Sequence, residues 1–242
     1  MKKLLSTLLV MSLICAGFLV GNAENRTIEP IKNVGMFDRF YSKQYTIFNR
    51  AGEDITADFY EATTTSYLKK DYDAVFDYFD QHVYYAECFK EVPAMNLDSS
   101  VFIQDDLAAN NLAVRGVEWG FVQAVDDENH GYSNHNIIEG DAYLEYTINT
   151  ATDLIVSAKK PVITRVALFR QYGDLPPDIT VTNRRAQVFG GGTHASFLFH
   201  VHADCLVYPY IYDEVNDWQI VYSYNADFNY TVQAGTRKGG HV

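Results

Sequence analysis

His200, His202 and Asp204 stand at two-residue spacing inside the apolar run Ala195 to Pro209, ASFLFHVHADCLVYP. Side chains alternate across a β-strand, so Leu198, His200, His202 and Asp204 share one face, while Phe197, Phe199, Val201, Ala203 and Cys205 share the other. Two imidazoles and a carboxylate suit zinc or another first-row metal, and an open position on such an ion would activate water. His194, in the turn before the strand, is a further candidate ligand. The competing reading is a solvated or hydrogen-bonded strand face, because this spacing occurs wherever a strand has one wet side. In both readings the apolar face is core.

Aromatic residues form a second set. Tyr208, Tyr210 and Tyr212 share a face if the strand continues past Pro209, and Trp218 follows the turn Asp213-Glu214-Val215-Asn216-Asp217. Exposed Tyr and Trp offer flat, amphipathic platforms for sugar rings or a protein partner, which makes these four the candidate binding residues. In a β-rich chain such residues also serve as core and edge packing.

Cys88 and Cys205 are the third set. In an oxidising compartment two cysteines without metal-type spacing read as one disulfide. It would close a loop of more than a hundred residues and add on the order of 4 kcal/mol through chain entropy. The alternative is two buried thiols.

Other chemistries find no support in motif form. Asp126-Asp127-Glu128-Asn129-His130-Gly131 has Ile137 where an EF-hand needs its bidentate Glu, leaving at most a looser calcium loop. Gly190-Gly191-Gly192-Thr193 lacks the lysine of a phosphate loop and lies between strands. No G-x-S-x-G elbow and no H-E-x-x-H pair occurs, which removes the common serine-hydrolase and zinc-protease signatures. Paired acids for glycoside hydrolysis need only meet in space, so sequence cannot single them out.

The elements that must position these residues are mostly strands. Leu112 to Val125, Ile137 to Asn149, Leu154 to Lys159, Val162 to Arg170, Ile179 to Phe189, Ala195 to Tyr208, Trp218 to Tyr224 and Asp227 to Val232 all read as strands separated by turn chemistry. Gly116 and Gly120 mark bulges or close backbone approach in the first of them. Upstream, Glu24 to Phe40 reads as an extended lead-in, and Gln44 to Asn49 with Asp54 to Thr65 as a hairpin. Leu68, Tyr72, Val75, Phe76, Phe79 and Val83 fall at three- and four-residue steps and predict one helix over Asp71 to Cys88. Glu91 to Asn111 has loop composition. The expected fold is mainly β, an antiparallel β-sandwich or barrel-like arrangement with one helix in the N-terminal part. The expected organisation is an acidic N-terminal segment over 24–106 and a β-sandwich domain over 107–242; one continuous domain over 24–242 fits equally.

Residues 1–23 have the layout of a secretory signal: Lys2 and Lys3, an apolar run from Leu4 to Val20, then Gly21 and Ala23 around Asn22. A lipoprotein signal is disfavoured by Ile14 before Cys15. Cleavage after Ala23 would leave 219 residues and move the net charge from −12 to −14 by removing the two lysines. No later stretch is long and apolar enough to span a bilayer as a helix. Glu53 to Asp106 carries thirteen acids against three lysines, a field that repels phosphate backbones and argues against nucleic acid as a partner. The expectation is an exported, soluble binding or surface-interaction protein whose ligand is a carbohydrate or another protein. A metal-dependent enzyme or metal-binding protein centred on His200 and His202 is the alternative. A pore former inserting the Tyr143 to Ser157 hairpin is the third, tested by liposome leakage.

Overall fold

The computed structural model describes residues 31–32, 34–94, 111–128, 131–171, 176–207, 220–235 and 239–241. The signal-like stretch over 1–23 and the aromatic set Tyr208, Tyr210, Tyr212 and Trp218 lie outside the described residues. Eleven strands and three helices follow in order: β1 (Ile31–Lys32), α1 (Gly35–Lys43), β2 (Thr46–Phe48), α2 (Thr56–Leu68), α3 (Tyr72–His82), β3 (Tyr85–Val92), β4 (Leu112–Asp127), β5 (Gly131–Asn149), β6 (Leu154–Leu168), β7 (Arg170–Gln171), β8 (Asp178–Phe189), β9 (His194–Val207), β10 (Ile220–Gln233) and β11 (Gly239–His241).

The architecture is an antiparallel β-sandwich. One sheet has the order β2-β3-β4-β5-β6, the other β11-β10-β9-β8, and β1 pairs with β7 in a small separate ladder. The sheets are open at their edges and do not close into a barrel. β3, which follows the helices, is hydrogen-bonded along its whole length to β4, so the N-terminal elements belong to the same sheet as β5 and β6. Between the sheets lies an aromatic core in which Trp119 and Phe121 of β4 meet Phe199 of β9 and Phe228 of β10, with ring centroids 4.3–6.2 Å apart. Strand alternation dictates this: the apolar face of β9, Phe197 through Cys205, is at most 2% exposed.

A second cluster lies on the outer face of the five-stranded sheet. Met36, Phe37 and Phe40 of α1, Phe59 of α2 and Val75, Phe76 and Phe79 of α3 pack on Ala86, Val122 and Ile137 of the sheet. The chain is therefore layered helix, sheet, sheet. Among the described residues no helix is long and apolar enough to cross a membrane.

Three expectations need correction. The N-terminal part holds three helices, since Gly35–Lys43 and Thr56–Leu68 are helical. Ile55, Ala57 and Phe59 alternate as a strand would, yet Phe59 and Thr63 recur at the helical step and are the buried positions of α2. Asp54, just ahead of that helix, accepts from Thr56 N at 2.9 Å. The predicted helix over 71–88 is a helix only to His82: Asp71 caps it through Ala74 N, and the β-formers Val83, Tyr84 and Tyr85 turn the chain into β3. Leu68 ends α2 exposed, at 74%, and contributes no stripe.

The disulfide is the third correction, for among the described residues neither Cys88 nor Cys205 is in a disulfide. Cys88 points to the helix side of β3, whereas Cys205 points into the core from β9 of the other sheet. Disulfide Cα atoms lie about 4.4–6.8 Å apart, and stacked sheets about 10 Å; here one sheet also stands between the two sulfurs. Denaturation without reductant followed by iodoacetamide is expected to alkylate both cysteines, and an intact mass showing neither alkylated would restore the bridge.

Pairs of predicted strands are fused. β6 runs unbroken through Pro161, which an edge strand tolerates because it needs no donor on its open side. β10 likewise spans the predicted gap at Asn225-Ala226. The glycine turn is as read: Gly190, Gly191 and Gly192 have φ of 61°, 65° and 96°, dihedrals that only glycine adopts freely.

Candidate functional site

Among the regions that gather chemistry-bearing side chains, two lie on opposite outer faces of the sandwich. On the four-stranded sheet, β9 presents Ser196, His200, His202 and Asp204, and β10 presents Ser223, Asn225, Asp227, Asn229 and Thr231 opposite them. The side chains join as a ladder. His200 lies between Asp227 Oδ1, 2.9 Å from its Nδ1, and Asn225 Oδ1, 3.0 Å from its Nε2. His202 Nδ1 is 2.8 Å from the same Asn225 oxygen, and its Nε2 is 3.2 Å from Asp204 Oδ1. Ser223 Oγ donates to Asp204 Oδ1 at 2.6 Å. The Asn225 hydrogen bond raises the His202 pKa most, and Asp204 adds to it against the opposing effect of burial.

The structure thus brings His200 and His202 together around Asn225. It places Asp204 on the far side of the His202 ring, away from His200. Among the described residues no three His, Cys, Asp or Glu side chains converge as a metal-ligand set. His194 bonds Thr193 Oγ1 at 2.8 Å and stacks on Phe189; it opens β9, six residues before His200.

The other region is a recess of about 630 Å³ on the outer face of the five-stranded sheet, where α1 ends. Its wall is Ser42 and Lys43 of α1. Its floor is Cys88, Phe89 and Lys90 of β3, Glu118 and Gly120 of β4, Asp141, Ala142 and Tyr143 of β5, and Thr164 of β6. The helices stop short of this part of the sheet, and β2 pairs with β3 only as far as Glu87. Gly120 keeps the floor low: a Cβ there would lie 2.7 Å from both Cys88 Sγ and Tyr45 Oη. Burial pushes the Cys88 thiol up, so it is held neutral and is a poor nucleophile.

Beside the recess an ion network ties α1 to the sheet. Arg39 Nη2 donates to both Asp141 oxygens at 2.6 Å, and Lys43 reaches the same carboxylate at 3.0 Å. Glu139, two residues earlier on β5 and only 2% exposed, takes Arg165 Nη1 at 2.9 Å and Arg39 Nη1 at 3.5 Å. Burial raises the Glu139 pKa to about 7, against the lowering pull of Arg39 and Lys43.

None of Arg39, Glu118, Glu139, Asp141, Arg165 and Asn225 was singled out by sequence. Glu139 and Asp141 share a face at strand spacing, a usable signal, but their cations come from α1 and β6. Comparison of the chain with protein-family models, with curated protein sequences and with solved structures finds no match.

Proposed function

We propose that this chain is an exported binding module that holds a carbohydrate in the recess at the end of α1. The observation that carries the reading is the lining itself. Lys43 and Lys90 donate, Glu118 and Asp141 accept, and Ser42 and Thr164 do either, around a floor lowered by Gly120. Vicinal sugar hydroxyls both donate and accept, and a carboxylate flanked by an ammonium matches such a pair. The volume falls within the roughly 300–1,000 Å³ of small-molecule sites, which favours a sugar unit over a folded partner.

A glycan array probed with the mature chain tests this. Glu118→Ala and Lys90→Ala are expected to weaken any glycan hit at least tenfold, while Tyr210→Ala and Trp218→Ala leave it unchanged. The opposite pattern would move the site to the aromatic platform. Parent-like binding by both recess variants would reject the recess.

A further inference from the structure

The His200–Asn225–His202 group turns two ring nitrogens onto one side-chain oxygen. His200 Nε2 and His202 Nδ1 converge on a single oxygen, Asn225 Oδ1, at 3.0 and 2.8 Å. Two donors each about 2.0–2.1 Å from an ion lie about 2.9 Å apart when they subtend a right angle, and about 3.4 Å apart in a tetrahedron. The two observed nitrogen–oxygen separations are ordinary hydrogen-bond lengths, and an ion with donors at right angles spans them without moving the side chains.

The outward-facing nitrogens carry the second half of the pattern. His200 Nδ1 faces Asp227 Oδ1 at 2.9 Å, and His202 Nε2 faces Asp204 Oδ1 at 3.2 Å. A metal-binding imidazole commonly donates its remote N–H to a carboxylate, which fixes the tautomer and the ring plane. Here both rings have that support, and Ser223 orients one of the two carboxylates at 2.6 Å. The rings stand 26% and 38% exposed, open enough for an ion to enter and for water to complete its coordination. The histidines and Asn225 face each other across β9 and β10, which pair without a break from His194 to Val207.

We infer that His200 Nε2, His202 Nδ1 and Asn225 Oδ1 form a three-donor seat for a divalent first-row ion of tetragonal preference, copper(II) before nickel(II) and both before zinc. The ion takes each ring through its converging nitrogen, and the remote N–H is the one donated to the aspartate. Asp204 acts from behind His202 and does not touch the ion. Right-angle edges select square-planar or octahedral ions, and copper(II) also leads the general affinity order for nitrogen and oxygen donors. The seat lies on the opposite outer face from the carbohydrate recess and shares no residue with it, so either assignment can fail alone.

The test is titration of the tag-free chain with copper(II) chloride against glycine as competing chelator, followed by electron paramagnetic resonance. The expected result is one equivalent of copper with a tetragonal spectrum and hyperfine splitting from two imidazole nitrogens. His200→Asn and His202→Asn keep a polar, hydrogen-bonding side chain on the strand and are each expected to weaken binding at least a hundredfold. Asn225→Ala should weaken it about tenfold, and Asp204→Asn about 10–100-fold with the same stoichiometry and nitrogen splitting. Zinc chloride should bind at least tenfold more weakly than copper. Parent-like copper affinity in the His200→Asn, His202→Asn double variant would overturn the assignment, as would a spectrum without nitrogen splitting. Zinc binding tighter than copper would overturn the right-angle geometry.

Discussion

Replacing Trp119 by alanine is expected to remove about 3–5 kcal/mol of unfolding free energy, the range for large aromatic truncations in a core. A domain of this kind holds about 5–15 kcal/mol in total. Trp119 is 0% exposed. It packs with Phe121 at 5.3 Å, Phe199 at 5.7 Å, Phe228 at 6.2 Å and Tyr230 at 5.1 Å, so one side chain joins β4 to β9 and β10. Four stiff rings cannot collapse into the space of an indole, and the cavity cost adds to the lost transfer energy.

The same indole has a polar duty. Its Nε1 donates to Glu87 Oε2 at 3.2 Å, and Tyr85 Oη donates to that oxygen at 3.0 Å. Glu87 is 6% exposed, and burial with this carboxylate beside it holds the Tyr85 phenol well above its ordinary range. Trp119→Phe separates the two contributions: it keeps most of the packing and removes the N–H, at an expected cost of about 1–3 kcal/mol. Urea unfolding of the two variants measures both. Equal losses would mean that the hydrogen bond to Glu87, and not the packing, makes Trp119 important.

The core strands were legible because one side of each is dry. Phe197, Phe199, Val201, Ala203 and Cys205 announce a buried face by alternation alone, and all five are buried. Alternation also misled, because Ile55, Ala57 and Phe59, at the start of α2, fit a strand period and a short window cannot separate the two. The cysteine pairing failed for a related reason. Counting cysteines gives a pair, but only the parity of β3 and β9 tells that the sulfurs face different layers.

The sites were hidden by register. Carried back from Asn149 opposite Leu154, an unbulged β5–β6 hairpin would set Asp141 against Val162. Bulges on the way place Arg165 there instead, and so build the ion network. Asn225 was hidden in another way, because Asn is a poor strand former and reads as a break, whereas its two paired neighbours hold it in β10. Asn225 matters because it faces His202 across the sheet, a relation that no spacing within one strand contains.

Glu139 gives the second large effect, and its sign runs against the usual one for an acid in an ion pair. Arg39 commits Nη2 to Asp141 and reaches Glu139 only at 3.5 Å, so burial outweighs that attraction and the Glu139 pKa rises from 4.5 to about 7. Below about pH 4.5 the carboxyl is protonated folded and unfolded alike. Between 4.5 and 7 the folded chain holds a proton that the unfolded chain has released, so stability falls as pH rises, and above 7 the loss is complete. The shift corresponds to at most about 3 kcal/mol, reduced to the extent that Arg165 at 2.9 Å steadies the charged form. Glu139→Gln keeps an oxygen for Arg165 and cannot ionise. Its stability relative to the parent is therefore expected to rise from pH 4.5 to pH 8 by up to that amount, as read by urea unfolding at a series of pH values. Contributions of carboxylates untouched by the substitution cancel in the difference. A parent-minus-variant profile that is flat with pH would show that the two arginines hold Glu139 ionised throughout, and a profile of opposite slope would show that they bind its charge more strongly than burial opposes it.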